Sequence, residues 1–219
     1  MIPQMHRTIV VGSPNPSGRS AMLADAIFEA CIEDCPDDGV SVVSVASTNV
    51  GPCKGCDACR NALDKDDPRF PKIPEWGDPL MQCRVVFKSD ASSHQCVIDD
   101  DISEVRKHID AADELIVVSP VYFSGTPAQL KALLDRMQPY FFSDIRSYTK
   151  HRRPMTLHVV REGGNPYGFK ALESTVRSAF GAAGFRLERL LDWKGCFDAE
   201  GDITAEPREI LVIPATAFE

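Results

Sequence analysis

The sequence predicts an α/β fold, an open five-stranded parallel sheet with helices on both faces. Three observations carry that reading. Short β-branched runs alternate with amphipathic stretches along the chain, as in an open α/β sheet. The first run, Thr8-Ile9-Val10-Val11-Gly12, breaks into a hydroxyl-rich loop and then into a helical pattern. The 219 residues are enough for one sizeable core and short for two. Ligands of doubly wound sheets bind beyond the carboxyl ends of the strands, so function is sought in the loops that follow them.

The elements follow in chain order. Thr8–Val11 is β-branched and apolar throughout, as a strand buried on both faces must be. In the first helix Leu23, Ile27, Ala30 and Cys31 share a face at i, i+4, i+7 and i+8. Val40–Val45 is the second strand. From Arg60 to about Gln95 the pattern fails. Prolines recur at Pro68, Pro71, Pro74 and Pro79, Lys65-Asp66-Asp67 stands among them, and only Arg84-Val85-Val86-Phe87 reads as a strand, an edge hairpin. A loop of that length inside a compact domain is usually functional. We read it as an irregular insertion at about 60–95 within a single domain, 1–219. Ile102, Val105, Ile109 and Ala112 then keep helical step around Ser103, and Leu115–Val118 is the third strand. Thr126 as N-cap and Pro127 as first residue open a helix with Leu130, Leu133, Leu134 and Met137 on one side. Met155–Val160 is the fourth strand. The last helix carries Phe169, Leu172, Val176, Phe180 and Ala183, with Gly184 as its stop, and Leu187–Leu191 is the fifth strand.

Composition narrows the function classes. A net charge of −8 offers no basic footprint for nucleic acid or acidic membranes. No apolar run approaches the roughly 20 residues of a membrane helix, and Met1–Arg7 lacks the apolar core of a signal peptide. A cytoplasmic protein is expected. In such a chain a cluster among eight cysteines points to metal or redox chemistry more than to disulfides.

The loop Ser13-Pro14-Asn15-Pro16-Ser17-Gly18-Arg19-Ser20 brings hydroxyls, an amide and a cation to the first turn of a helix. Unpaired N–H groups and the positive end of the dipole meet there, and a phosphate is the natural guest. Five residues separate Gly12 from Gly18, and Arg19 stands where a P-loop has lysine. Pro14 occupies the place of the second glycine of a dinucleotide fingerprint. Both motifs are absent, which leaves a phosphate monoester, or else an ordinary Ser/Pro turn.

Two later loops leave the same sheet edge. Ser119-Pro120-Val121-Tyr122-Phe123-Ser124-Gly125-Thr126 offers an aromatic pair to cover a flat heterocycle, and amides for charge developing on it. It can also be read as a βα turn packed on its neighbours. Arg161–Gly168 contains Gly163-Gly164, where the backbone can approach a ligand; alone it is equally a flexible loop. Cys53, Cys56 and Cys59 stand at C-x2-C-x2-C spacing, which matches ligands converging on a cubane cluster. Zinc more often takes two separated pairs, and free thiols remain a third reading. Cys31 reads as core, Cys35 and Cys196 have no identifiable partner, and His158 on its strand reads as structural. His94 is kept as an outside candidate ligand.

In order, Gly12-Ser13-Pro14 through Gly18-Arg19-Ser20, Cys53-Lys54-Gly55-Cys56-Asp57-Ala58-Cys59, Cys96-Val97-Ile98-Asp99-Asp100-Asp101, and Ser119–Phe123 followed by Ala128-Gln129-Leu130-Lys131 resemble the flavodoxin-like NADPH-dependent FMN reductases. Within that family they look like the iron–sulfur flavoproteins, and the resemblance covers roughly residues 7 to 185. The resemblance implies a flavodoxin-like fold and FMN with its phosphate at Ser13, Asn15, Ser17, Gly18, Arg19 and Ser20. The isoalloxazine would lie against Pro120, Val121, Tyr122, Phe123 and Ser124, with the Gly163–Gly164 loop closing the site. It also implies a [4Fe–4S] cluster on Cys53, Cys56, Cys59 and a fourth cysteine. Cys96 is preferred over Cys83 because it keeps the family's following acidic stretch. Two departures stand out: Asn15 replaces a common arginine and Arg19 a common asparagine. The fourth cysteine, which in the family follows within a few residues, comes here only after the insertion. The function implied is an NAD(P)H-dependent FMN oxidoreductase of flavin or quinone type, with FMN coupled to the cluster. It would have a small-molecule or protein electron acceptor, no side chain assigned as general acid, and a homodimeric or homotetrameric state. An iron–sulfur flavoprotein carrier without NAD(P)H activity, and a non-catalytic α/β binding module with structural zinc, are the alternatives.

Overall fold

A computed structural model of the chain describes residues 5–60, 96–142 and 152–213. The expected insertion, with Cys83, His94 and Arg84–Phe87, lies outside the described residues apart from its first one. Each of the five apolar runs forms a strand: β1 (His6–Val11), β2 (Gly39–Ser44), β3 (Glu114–Pro120), β4 (Arg153–Val160) and β5 (Phe185–Asp192). They run parallel in the order β2-β1-β3-β4-β5, which turns back between β1 and β3. This is the flavodoxin-like order, and its switch point is the place for a ligand.

The sheet has six strands, not the five expected. A three-residue strand, β6 (Arg208–Ile210), pairs antiparallel with the end of β5, Leu190 opposite Ile210 and Asp192 opposite Arg208. Two of its three residues are charged, so no apolar period marks it. Its partner defines it, through the ladder and the Arg189–Glu209 ion pair at 3.1 Å.

Helices α1 (Arg19–Asp34), α2 (Ile102–Ala111), α3 (Ala128–Asp135), α4 (Gln138–Phe142) and α5 (Lys170–Ala182) connect the strands. In α1 the core face is Leu23 and Ala24 with Ile27, Phe28 and Cys31, whereas Ala30 is exposed. Helix α3 begins one residue later than expected, with Pro127 in the capping position. The five residues of α4 are too few to show a period. Among the described residues no helix is long and apolar enough to cross a membrane.

Alternate residues of each strand feed two cores. On one face Val10, Leu115, Val117 and Leu157 meet α2, α3 and α5 through Ile109, Leu133 and Phe180. On the other, Ile9, Val11, Ile116 and Val118 meet Leu23 and Ala24 of α1, together with Trp193 and Cys196. His158 on β4 is buried, and its Nδ1 accepts a hydrogen bond from Trp193 Nε1 at 3.0 Å. Burial, with help from the Arg189 charge, pulls its pKa down to about 4, so the ring is neutral near pH 7.

Register levels the carboxyl ends of the strands, since Val11 pairs with Val118 and Pro120 with Val160. Gly12 N donates to Val118 O at 2.8 Å, Val121 N to Val160 O at 3.1 Å, and Trp193 N to Val159 O at 2.9 Å. The loops after β1, β3, β4 and β5 therefore leave one edge together. Gly12 is required there: a Cβ on it would lie 2.5 Å from Leu130 Cδ2 and 3.2 Å from Ser119 Oγ.

Candidate functional site

Those four loops enclose a cavity of about 360 Å³ at the β1/β3 switch point, a volume in the range of small-molecule and cofactor sites. Ser13, Asn15, Gly18, Arg19 and Ser20 form one wall. The turn is held by its own side chains. Asn15 N donates to Ser13 Oγ at 3.2 Å while Ser13 Oγ donates to Asn15 O at 3.1 Å. Asn15 Oδ1 in turn accepts from Ser17 N at 3.1 Å and Ser17 Oγ at 3.2 Å. This is an Asx turn, the local alternative that asparagine offers the backbone. It delivers the chain to Gly18, the cap of α1, which supplies no side-chain cap. Ala21 and Met22 N–H turn back to Gly18 O, and no acceptor among the described residues takes the N–H of Arg19 or Ser20. Two first-turn donors and the dipole's positive end are left for a ligand.

Arg19 is less free than expected. Its Nη1 pairs with Glu162 and its Nη2 donates to Asp198 O at 3.1 Å, so the guanidinium ties together the loops after β4 and β5. Ser17, also expected at the ligand, is exposed and lies outside the cavity wall.

Pro120, Val121 and Tyr122 form the facing wall. The loop then reverses in two residues. Tyr122 and Gly125 exchange hydrogen bonds at 3.0 and 2.9 Å, with Phe123 (φ 50°) and Ser124 (φ 68°) both left-handed. A tight hairpin turn asks for that geometry and usually finds Gly or Asn there. Phe123 at the tip is fully exposed, and Ser124 is buried, its Oγ accepting from Asn165 Nδ2 at 2.7 Å and its carbonyl from Leu172 N at 3.1 Å. Neither lines the cavity; Ser124 braces the turn against Asn165 in the loop before α5 and against Leu172 in that helix. The amides of Val121 and Tyr122 are committed to Val160 and Gly125, while those of Phe123 and Ser124 donate to no acceptor among the described residues.

The Gly163–Gly164 pair also stands outside the wall. Gly163 has φ 118°, and a Cβ there would lie 2.8 Å from Lys194 Cε, so the close approach it permits is to Lys194. The cavity is completed by Val160, Arg161, Glu162, Gly195 and Phe197, which sequence reasoning missed. Arg161 is clamped by the buried carboxylate of Asp192 through Nε at 2.8 Å and Nη2 at 2.6 Å. Burial alone would raise the Asp192 carboxyl, but Arg161 outweighs it and holds it below the carboxylate range. Paired glycines beside Arg161 were the available signal. Gly195 and Phe197 carried none.

The cysteines occupy a separate loop. Cys53 is exposed, and Cys56, Cys59 and Cys96 are partly buried. Gly55, at φ 63°, turns the loop so that its N–H donates to Cys53 Sγ at 3.5 Å. Burial and then the neighbouring Cys96 push the Cys59 thiol up to about 11, with smaller contributions from Cys56 and Cys53; the four thiols share one neighbourhood. Among the described residues no three Cys, His, Asp or Glu side chains converge where a single metal ion could sit. A cubane cluster presents a separate iron to each of its thiolates, and an all-cysteine donor set is the chemistry that it takes.

Sequence reasoning also missed Arg136, which follows α3 and is completely buried. Its fork meets both oxygens of Asp100 at 2.7 and 2.9 Å, its Nη1 donates also to Gly51 O at 2.9 Å, and its Nε donates to Cys96 Sγ at 3.1 Å. Burial would raise the Asp100 carboxyl, yet hydrogen bonds from Arg136, Gly51 and Ile102 hold it below its ordinary value. The signal was its place at i+3 from Leu133, on the apolar stripe.

The family model described as NADPH-dependent FMN reductase matches residues 5–185. An iron–sulfur flavoprotein of Methanosarcina thermophila is 34% identical over 134 residues, 60% of this chain and 52% of that protein. One from Methanocaldococcus jannaschii is 31% identical over 130 residues, 59% of this chain and 50% of its own length. The chain thus spans about half the length of the curated relatives it matches. Among solved structures, the FMN-dependent NADH-azoreductase of Bacillus anthracis str. Ames Ancestor, in complex with FMN, superimposes with a TM-score of 0.53 at 14% identity. The match covers 88% of each chain and shows a shared fold.

Proposed function

The chain belongs to the NADPH-dependent FMN reductase family, and from that premise we propose an FMN-dependent oxidoreductase that draws electrons from NAD(P)H and couples to a [4Fe–4S] cluster. The observation that carries the reading is the cradle at the start of α1. Two N–H groups without an acceptor among the described residues, a preformed Asx turn and the Ser13 and Ser20 side chains face one cavity at the sheet's switch point. That set fits a phosphate monoester, and the volume beyond it suits the rest of the cofactor. Bound FMN would supply hydride acceptance and one-electron transfer.

The protein's own part is binding, orientation and electrostatics. Ser13, Asn15, Gly18, Ser20 and the first turn of α1 hold the phosphate. Arg19 closes that end by joining the loops after β4 and β5. Pro120, Val121 and Tyr122 form the platform for the ring system. The amides of Phe123 and Ser124 are the donors this turn has left to offer to negative charge. Cys53, Cys56, Cys59 and Cys96 would hold the cluster, which would supply single-electron transfer. A small molecule or a protein accepts the electrons, and a homodimer or homotetramer is the working assembly, checked by light scattering.

The experiment is anaerobic titration of the FMN-loaded, iron-reconstituted chain with NADPH and with NADH. Bleaching of the flavin absorbance by either is the expected result. A chain that binds no FMN would overturn the reading. A chain that binds FMN and cluster, yet is reduced only by a protein or chemical donor, would support an electron carrier instead.

A further inference from the structure

Arg136 has a guanidinium with no exposed surface, placed outside the FMN cavity. Desolvating a cation so completely is unfavourable unless good partners surround it. Here they come from two other segments. Residues 49–51 lead into the cysteine loop and provide Gly51 O; residues 96–101 provide Cys96 Sγ and both oxygens of Asp100. The same two segments are laced directly, by Gly51 N to Asp100 Oδ2 at 3.0 Å, Asn49 N to Asp101 Oδ2 at 2.7 Å and Asp101 N to Asn49 O at 3.1 Å. The network therefore sets where Cys96 stands relative to the stem of the loop bearing Cys53, Cys56 and Cys59.

Resting on the iron–sulfur reading above, we propose that Arg136 is the positioning residue that makes Cys96 the fourth thiolate of that site. The N–H···S bond orients the sulfur, and the Asp100 fork prevents the guanidinium from swinging away. A sulfur bound to iron keeps lone pairs that accept such a bond, so the contact persists in the loaded protein. Hydrogen bonds and positive charge at a ligating sulfur favour the reduced cluster and raise its potential. Lysine at this position keeps the charge and loses the fork.

The test is anaerobic reconstitution of the full chain with ferrous iron and sulfide, followed by iron per FMN, cluster lifetime against a chelator and midpoint potential. Wild type and Cys83→Ser retain the cluster, and Cys96→Ser loses it. Arg136→Met binds FMN as wild type does, sheds iron about tenfold faster, and has a lower cluster potential. Arg136→Lys recovers the potential better than the lifetime. Removing one member of a buried pair can unfold a chain, so Arg136→Met/Asp100→Asn, which loses both charges together, is measured alongside. If FMN-competent Arg136→Met or the double variant keeps the wild-type lifetime and potential, the proposal is overturned. Loss of the cluster in Cys83→Ser with retention in Cys96→Ser overturns it equally. Wild-type chain that takes up FMN but no iron sinks the iron–sulfur reading itself, and this proposal with it.

Discussion

Asn15 organises the turn before α1 by offering one oxygen to two donors of Ser17. Asn15→Ala should therefore weaken FMN binding by about 1 kcal/mol, roughly fivefold in Kd, because the turn must then be ordered at the moment of binding. Flavin fluorescence quenching measures it, and an unchanged Kd would mean the turn is held by other contacts. His158 acts on stability through its proton. The unfolded chain takes up that proton at the ordinary value of 6.5, whereas the folded ring, buried against Trp193, waits until about 4. The folded-state pKa is depressed, so stability is full above pH 6.5 and falls as pH drops toward 4. The slope is up to about 1.4 kcal/mol per unit, levelling off below that window. Between pH 7 and pH 5 the wild type should lose about 2 kcal/mol more than His158→Phe, read from urea midpoints. Parallel pH profiles for the two would place the proton elsewhere.

Among the elements, β1 and α1 together make the cradle, and their junction depends on how closely β1 passes α3. Gly12→Val should destabilise the chain by about 1–3 kcal/mol through overpacking, since the facing Leu130 is itself fully buried and has nowhere to move. Thermal melts would show it, and an unshifted Tm would mean that α3 yields. The five parallel strands were legible from their runs of apolar and β-branched residues, and β1, β4 and β5 each begin two residues before those runs. Helix α3 was legible from Pro127 and its leucine stripe. Strand β6 and helix α4 were not, since three and five residues carry no period. The turn at Phe123–Ser124 was equally hidden: its left-handed backbone is imposed by the Tyr122–Gly125 pairing and the Asn165 bond, with no glycine at its two central residues to announce it.

At the scale of the molecule, FMN should stabilise the whole sheet, because the cavity draws its walls from loops after β1, β3, β4 and β5. At a hundredfold excess over Kd the gain is about 2.7 kcal/mol, which in a chain of this size is about 5–10 °C in Tm. Differential scanning fluorimetry with and without FMN tests it. Ligand-independent melting at that concentration would show that the cavity is not the binding site. The strands, most helix faces, the turn before α1 and the cysteine spacing could be read from the sequence by itself, because each is a property of one short segment: a period, a cap or a spacing. Partnership was decided only by the tertiary structure. Arg19 is engaged by Glu162 and Asp198, Arg161 by Asp192, and Arg136 by Asp100, Gly51 and Cys96. Which carboxylate meets which guanidinium depends on strand order and register across 31 to 143 residues of separation. No local pattern encodes that distance. A charge acquires its role from what the fold brings beside it.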